Sequence, residues 1–216
     1  MKKLFKKINK EKLFNFIILL IVIAMYIFVF LGIYSNFRER KRKETKENII
    51  EKIDEVIENI KEEQINNTDS NIDITPTEAE TKYNGINYTV LGKITIRKIN
   101  IYEPILKENT KEAYDTALVK VTGVDLNKNG NAVIGGHNFM KGNYFIKINR
   151  LVKDDVITIT DLSGSSVNYY VYEYKITTID DPSYLTQPEN KDEKIITLVT
   201  CTKGGKERYY VKAKAK

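Results

Sequence analysis

The sequence predicts an all-β domain, a closed barrel of about eight strands with short helices, carried behind a membrane-spanning helix and a helical stalk. Three observations lead there. A charge-free apolar run occupies residues 13–37; isoleucines at helical spacing follow it; and from about residue 82 onward, runs rich in Val, Ile, Thr and Tyr alternate with turn formers. With 216 residues, 42% hydrophobic and 30% charged, the chain suits one globular domain with appendages rather than two full domains.

Residues 1–12 form a basic N-terminus with six lysines. The strictest part of the apolar run, Phe16 to Tyr34, has 19 residues, which span roughly 28 Å as a helix at ~1.5 Å per residue. That matches a bilayer core of ~30 Å. A cleaved signal peptide would have a shorter apolar region and a small-x-small cleavage site, and Ile33 and Ser35 come nearest to one without supplying it. The segment therefore reads as an uncleaved signal anchor. Basic residues flank it almost equally, Lys2 to Lys12 on one side and Arg38 to Lys46 on the other, so charge alone does not orient it.

Ile49, Ile50, Ile53, Val56, Ile57 and Ile60 recur at spacings of three and four, which predicts an amphipathic stalk helix over residues 38–63. With only about two heptads, a solvated stalk packed lightly on itself or on the domain is the expectation, not a partner-binding coiled coil. Residues 64–81 are polar and aperiodic and read as a flexible linker. The catalytic-looking domain is expected over 82–216.

Within that domain, strands are predicted at 91–101, 131–136, 154–160, 166–179, 193–201 and 207–215. Turn formers separate them at 127–131, 161–165, 180–183 and 203–206, and two short helices are expected around 111–117 and 144–151. Closure into a barrel removes exposed strand edges. Most of the 14 tyrosines fall in these strands and read as amphipathic wall residues.

The net charge of +6 belongs entirely to residues 82–216, which hold 21 Lys and Arg against 15 Asp and Glu. These basic residues are scattered through strands and not clustered with aromatics, which speaks against a nucleic-acid face. Mild basicity suits work close to an anionic envelope.

Cys201 is the only cysteine and His137 the only histidine. No internal disulfide can form, and a metal site built from several nitrogen or sulfur ligands is excluded. Neither metal nor cofactor is expected; Glu112, Asp180 and Asp181 are acids of the kind that bind calcium in loops, but they read as solvated. A thiol nucleophile with an imidazole partner, by contrast, needs only one of each. His137 follows the small-residue run NAVIGG, and Cys201 ends the apolar run TLVTC. If 193–201 and 207–215 pair as a hairpin, Arg208 begins the return strand beside the place where Cys201 ends the outgoing one. A guanidinium there could donate to the oxyanion formed when a thiolate attacks a carbonyl. Taken singly, each residue has a plainer reading: a small buried hydrophobe, a loop histidine bonded to backbone, a solvated arginine. Those readings offer no reason for all three at matched strand ends.

The stretch TLVTC followed by Arg208, with GHN at 136–138 and LGKITIRKINIYEPI at 91–105 upstream, resembles the sortases, the membrane-anchored cysteine transpeptidases of Gram-positive bacteria. The resemblance covers residues 88–216, and the order His, Cys, Arg agrees. It implies an eight-stranded sortase-type barrel with its site on the strand ends. It further implies that Cys201 attacks the Thr–Gly carbonyl of an LPxTG-like sorting signal to form a thioacyl enzyme. His137 would protonate the leaving amine and deprotonate the incoming one, and Arg208 would hold substrate and oxyanion. Thr200 is expected to touch the sorting peptide. Secreted proteins bearing C-terminal sorting signals would be the substrates, and a peptidoglycan cross-bridge or pilin amine the acceptor. Residues 38–216 would then be extracellular.

Only 63 residues separate His137 from Cys201, too few for the long helical insertion of class B. No lid sequence precedes the domain and no second apolar segment follows it, which disfavours class C. A class D-like or class A member is expected, class D-like on the short loop between Cys201 and Arg208. Arg97 stands where the family often has proline before a Lys-Ile pair, a strand detail far from the thiol. Two other functions fit the same residues less well: a hydrolytic cysteine protease with the same trio, and a noncatalytic surface module using the barrel as a scaffold. At the ordinary pKa values of ~8.5 for Cys and ~6.5 for His, only about 1% of molecules would hold thiolate and imidazolium together at pH 7.

Overall fold

The structure, a computed structural model, describes residues 10–66, 78–83, 85–138 and 144–216. It divides into two units, residues 1–43 and 44–216. Helix α1, Lys10–Asn66, contributes to both.

In the first unit the large side chains from Leu13 to Phe37, including Phe14, Phe16, Tyr26, Phe28 and Phe30, are exposed on every side of the helix. So much bare apolar surface is stable only in an apolar solvent. This helix is long and apolar enough to cross a membrane.

The second unit is built on nine strands: β1 Ala79–Tyr83, β2 Ile86–Ile96, β3 Ile101–Leu106, β4 Leu118–Gly123, β5 Gly130–Gly135, β6 Val156–Asp161, β7 Ser166–Thr178, β8 Lys194–Thr202 and β9 Glu207–Ala215. Eight of them form a ring in the order β2-β3-β4-β5-β8-β9-β7-β6, which pairing of β6 back onto β2 closes. β1 is an additional strand hairpinned onto β2. It begins inside the stretch expected to be a flexible linker; residues 67–77 of that stretch lie outside the described residues. At the closing seam Gly92 has φ +154°, and a Cβ there would lie 2.3 Å from the carbonyl oxygen of Thr160. Only glycine lets the two backbones approach so closely.

The barrel interior is aliphatic and fully buried, with Ile94, Ile105, Leu118, Ile134, Ile159, Ile196, Leu198 and Val211 at its centre. Each such side chain contributes about 1.5–3 kcal/mol on leaving water. β8 is buried from Ile195 to Thr200 on both faces, which is why IITLV reads as a continuous apolar run and not as an alternation. Its outer face is covered by a 3-10 turn, Pro182–Leu185. Buried Asn131 on β5 stitches that turn down: its amide donates to the carbonyls of Tyr184 and Thr186, and its Oδ1 accepts from the Thr197 hydroxyl at 2.9 Å. A buried amide satisfied in this way fixes the loop on the barrel wall.

Several elements differ from expectation for identifiable reasons. The run 91–101 is not one strand: a 3-10 turn at Arg97–Ile99 closes it, with Asn100 at φ +57° taking the left-handed position that glycine usually marks. β4 has no turn signal to announce it. Around 144–151 only a 3-10 turn, Ile148–Arg150, forms. Helix α2, Lys111–Thr116, is present, and the Thr110 side chain caps it by accepting from the amide of Ala113.

The second half of α1 is packed and not solvated. Ile49, Ile53 and Ile57 join Tyr88, Val90, Leu106, Ala113, Ala117, Val119 and Leu162 in one buried cluster on the outside of the barrel. Lys46 pairs with Glu103 at 2.8 Å, and Lys93 reaches Asp54. The isoleucine stripe thus lies against β2, β3, β4 and α2.

Candidate active site

β5, β8 and β9 are neighbours in the ring, and their registers place the three expected residues together. β5 and β8 run parallel with Gly135 opposite Val199, and His137 lies two residues beyond Gly135 as Cys201 lies two beyond Val199. β8 and β9 run antiparallel with Cys201 and Arg208 as direct partners. Because side chains alternate in a strand, Cys201, Val199, Arg208 and Tyr210 share the outer face. The Cys201 thiol is exposed.

Local sequence explains each placement. The hairpin between β8 and β9 turns through Lys203, Gly204 and Gly205 at φ +47°, +67° and +92°. Two glycines at these left-handed positions let the chain reverse within four residues and bring Arg208 back to Cys201. The guanidinium Nη1 donates to the carbonyls of Gly205, at 3.0 Å, and Glu207, at 3.1 Å, so the hairpin holds the arginine against its strand.

The segment carrying His137 is laced to β8. The amide of Gly136 donates to Val199 O at 3.2 Å, the Thr200 hydroxyl to Gly136 O at 2.6 Å, and the Asn138 side chain to Cys201 O at 2.9 Å. Thr200 is buried, facing inward with its hydroxyl on backbone, so it ties the His and Cys segments together here instead of lining the surface where a peptide would lie. Residues 139–143, which follow Asn138 in the chain, lie outside the described residues.

Helix α2 adds two residues that the sequence reading passed over. The Tyr114 ring stands 5.5 Å from the imidazole of His137, tilted by 45°. Its hydroxyl end sits over Gly135, where a Cβ would come within 2.6 Å of it. Burial, then the charge of Cys201, push the Tyr114 hydroxyl above the usual range, while Arg208 acts in the opposite direction. Tyr114 is therefore within electrostatic reach of both. Asp115 Oδ1 lies 3.3 Å from His137 Nε2. The NTKEAYD stretch signalled a short helix, but nothing in it indicated which strand end it would cover.

Beside the trio, Val133, Val199 and Tyr210 form a small outer-face apolar cluster with Val121, Tyr184 and Leu185 packed against it. Val199 and Tyr210 are partners two residues along the strands from Cys201 and Arg208, roughly 7 Å away. An exposed thiol, an imidazole and a guanidinium thus stand at the head of an apolar strip, an arrangement suited to acyl transfer from an extended peptide.

Comparison with known proteins agrees with this geometry. The family model described as the sortase domain matches residues 94–216. A curated relative, Sortase A of Bacillus anthracis, is 25% identical over 211 residues covering 94% of each chain. The solved structure of a Clostridium perfringens Sortase D5 transpeptidase is 30% identical, covers 82% of this chain and 99% of its own, and superposes with a TM-score of 0.59. Sortase C-1 from Actinomyces oris, 22% identical over 59% of this chain and 73% of its own with a TM-score of 0.54, shares the fold.

Proposed function

The chain belongs to the sortase family, and from that premise we propose that it is a class D-like cysteine transpeptidase that cleaves an LPxTG-like sorting signal between Thr and Gly. The observation that carries this reading is the register that sets Cys201 opposite Arg208 with His137 at the same level one strand away.

The Cys201 thiolate attacks the threonine carbonyl carbon, and the carbonyl electron pair moves onto oxygen. Arg208 stabilises that oxyanion by hydrogen bonding and charge. As the C–N bond breaks, His137 gives its proton to the departing glycine amine, leaving a thioester on Cys201. An acceptor amine, from a cell-wall cross-bridge or a pilin, then loses a proton to His137 and attacks the thioester; the new amide forms and the thiolate is regenerated. Residues before the threonine lie against the partly exposed Val121, Tyr184 and Leu185, which cover Val199 and Tyr210. Thr200 acts through backbone as a positioning residue. α1 anchors the enzyme in the membrane with residues 38–216 outside, where sorting signals are presented.

The test uses the full chain in detergent micelles with an LPxTG peptide library and triglycine. Wild type should give a Cys201 acyl adduct by mass spectrometry and a triglycine-ligated product, and Cys201→Ala, His137→Ala and Arg208→Ala should each lose the product. Release of cleaved peptide with no dependence on triglycine would reduce the reading to a hydrolase, and folded but silent wild type would overturn it.

A further inference from the structure

We propose that Asp115 is the positioning residue of His137, holding the imidazole through Nε2 so that Nδ1 is presented to the thiol and the transferred amine. The proposal rests on the reading of His137 as the acid and base given above.

His137 lies just past the end of β5, where no strand pairing holds a side chain. Its backbone is fixed, since its carbonyl accepts from the Phe145 amide at 2.9 Å, and two neighbours on α2 meet its ring. The tilted Tyr114 ring limits rotation from one side. Nε2 is itself buried, and Asp115 Oδ1 stands 3.3 Å from it. A carboxylate there favours the tautomer with its proton on Nε2, leaving the other nitrogen to exchange protons with substrate.

Asp115 can do this because its backbone is held. Ala113 and Ala117, on either side of it, are fully buried against Ile49, Ile53 and Ile57. The Tyr144 hydroxyl donates to the Asp115 carbonyl at 3.3 Å. The Asp115 side chain is 52% exposed, and Lys111 lies 3.7 Å from its other oxygen, so its effect on the imidazole is partly screened. The charged and titratable groups around the pair are Tyr114 and Lys111 on α2, Cys201 on β8 and Arg208 on β9.

The test compares wild type with Asp115→Asn and Asp115→Glu, all as full chains in detergent, using pH profiles of kcat and KM with an LPxTG peptide and triglycine. Asp115→Asn keeps the size and removes the charge. It should lower kcat roughly three- to tenfold with KM unchanged, the size expected for a half-exposed contact. Asp115→Glu should restore part of kcat. An Asp115→Asn profile superimposable on wild type overturns the proposal. His137→Ala, run in parallel, separates the two failures: if it is inactive while Asp115→Asn is unchanged, only the role of Asp115 falls, and if it is fully active the acid-base reading of His137 falls and takes this proposal with it.

Discussion

Cys201 and Arg208 face each other as register partners across the β8–β9 hairpin, with only the Thr202–Glu207 pair between them and the turn. Everything the hairpin does locally, from its two left-handed glycines to the Nη1 bonds on Gly205 and Glu207, serves that juxtaposition. The register fixes the two backbone positions opposite each other, and the Nη1 bonds hold the guanidinium on the hairpin.

The planar guanidinium should matter as a fork and not only as a charge. Nη1 is tied to backbone, and the remaining N–H donors have a fixed direction that an ammonium cannot copy. Arg208→Ala is expected to lower kcat/KM by about 10²- to 10³-fold, the usual cost of losing an oxyanion donor. Arg208→Lys should stay nearer the alanine variant than wild type in steady-state kinetics. Lysine working as well as arginine would show that a point charge suffices.

Thr200 should act through the His137 segment. Its hydroxyl is the donor to Gly136 O, and its side chain is buried. Thr200→Val, nearly isosteric, leaves that carbonyl unsatisfied at a cost of about 1–3 kcal/mol. The expected result is a lower melting temperature and a fall in kcat with KM little changed, both largely recovered by Thr200→Ser. A rise in KM at constant kcat would instead return Thr200 to the peptide-binding surface.

The parts of the site legible in the sequence are those that depend on one strand or one hairpin. Cys201 ends an apolar run, Arg208 follows a Gly-Gly turn, and His137 follows NAVIGG, so strand ends and chemical uniqueness locate all three. What could not be read depends on pieces distant in sequence. The short parallel pairing of β3 with β4 swings α2 across the mouth of β5, and only this puts Tyr114 and Asp115 on His137. Likewise the isoleucine spacing shows that α1 has an apolar stripe, while its partners, Tyr88, Leu106 and Val119, come from three different strands. The turn at Arg97–Ile99 was hidden because Asn100, not glycine or proline, makes it.

That helix should therefore be part of the folded domain and not a passive tether. Ile53 is 1% exposed, and Ile53→Ala should cost about 2–5 kcal/mol through lost burial and the cavity left behind. Calorimetry of the full chain in detergent should show a melting temperature lower by at least about 4 °C. Glu58→Ala, on the exposed side of the same helix, should melt like wild type. Since Ile53 packs with Ala113 and Ala117, the isoleucine variant is also expected to lose activity below its melting point. Unchanged stability in Ile53→Ala would mean that the helix leaves the barrel in solution.

The loop over the apolar strip should loosen in acid, and Asp181 sets the direction. The Thr177 hydroxyl donates to its carboxylate, and the Ser183 amide donates to it at 2.8 Å. These bonds, with Thr177 foremost, hold its carboxyl below the usual carboxylate range. A carboxylate whose pKa is depressed on folding contributes stability that is fully present above its unfolded value and is lost as pH falls through the folded one. At neutral pH the contribution is intact, so exchange of the amides over residues 183–187 should be faster in Asp181→Ala than in wild type. As the pH is lowered past the unfolded value toward the folded one, wild type should approach the variant. Tyr184, which lines the strip, sits on this turn, so peptide KM is expected to follow the same dependence. Exchange in this loop that differs between the two proteins by the same factor at every pH would show that the Asp181 charge does not hold it.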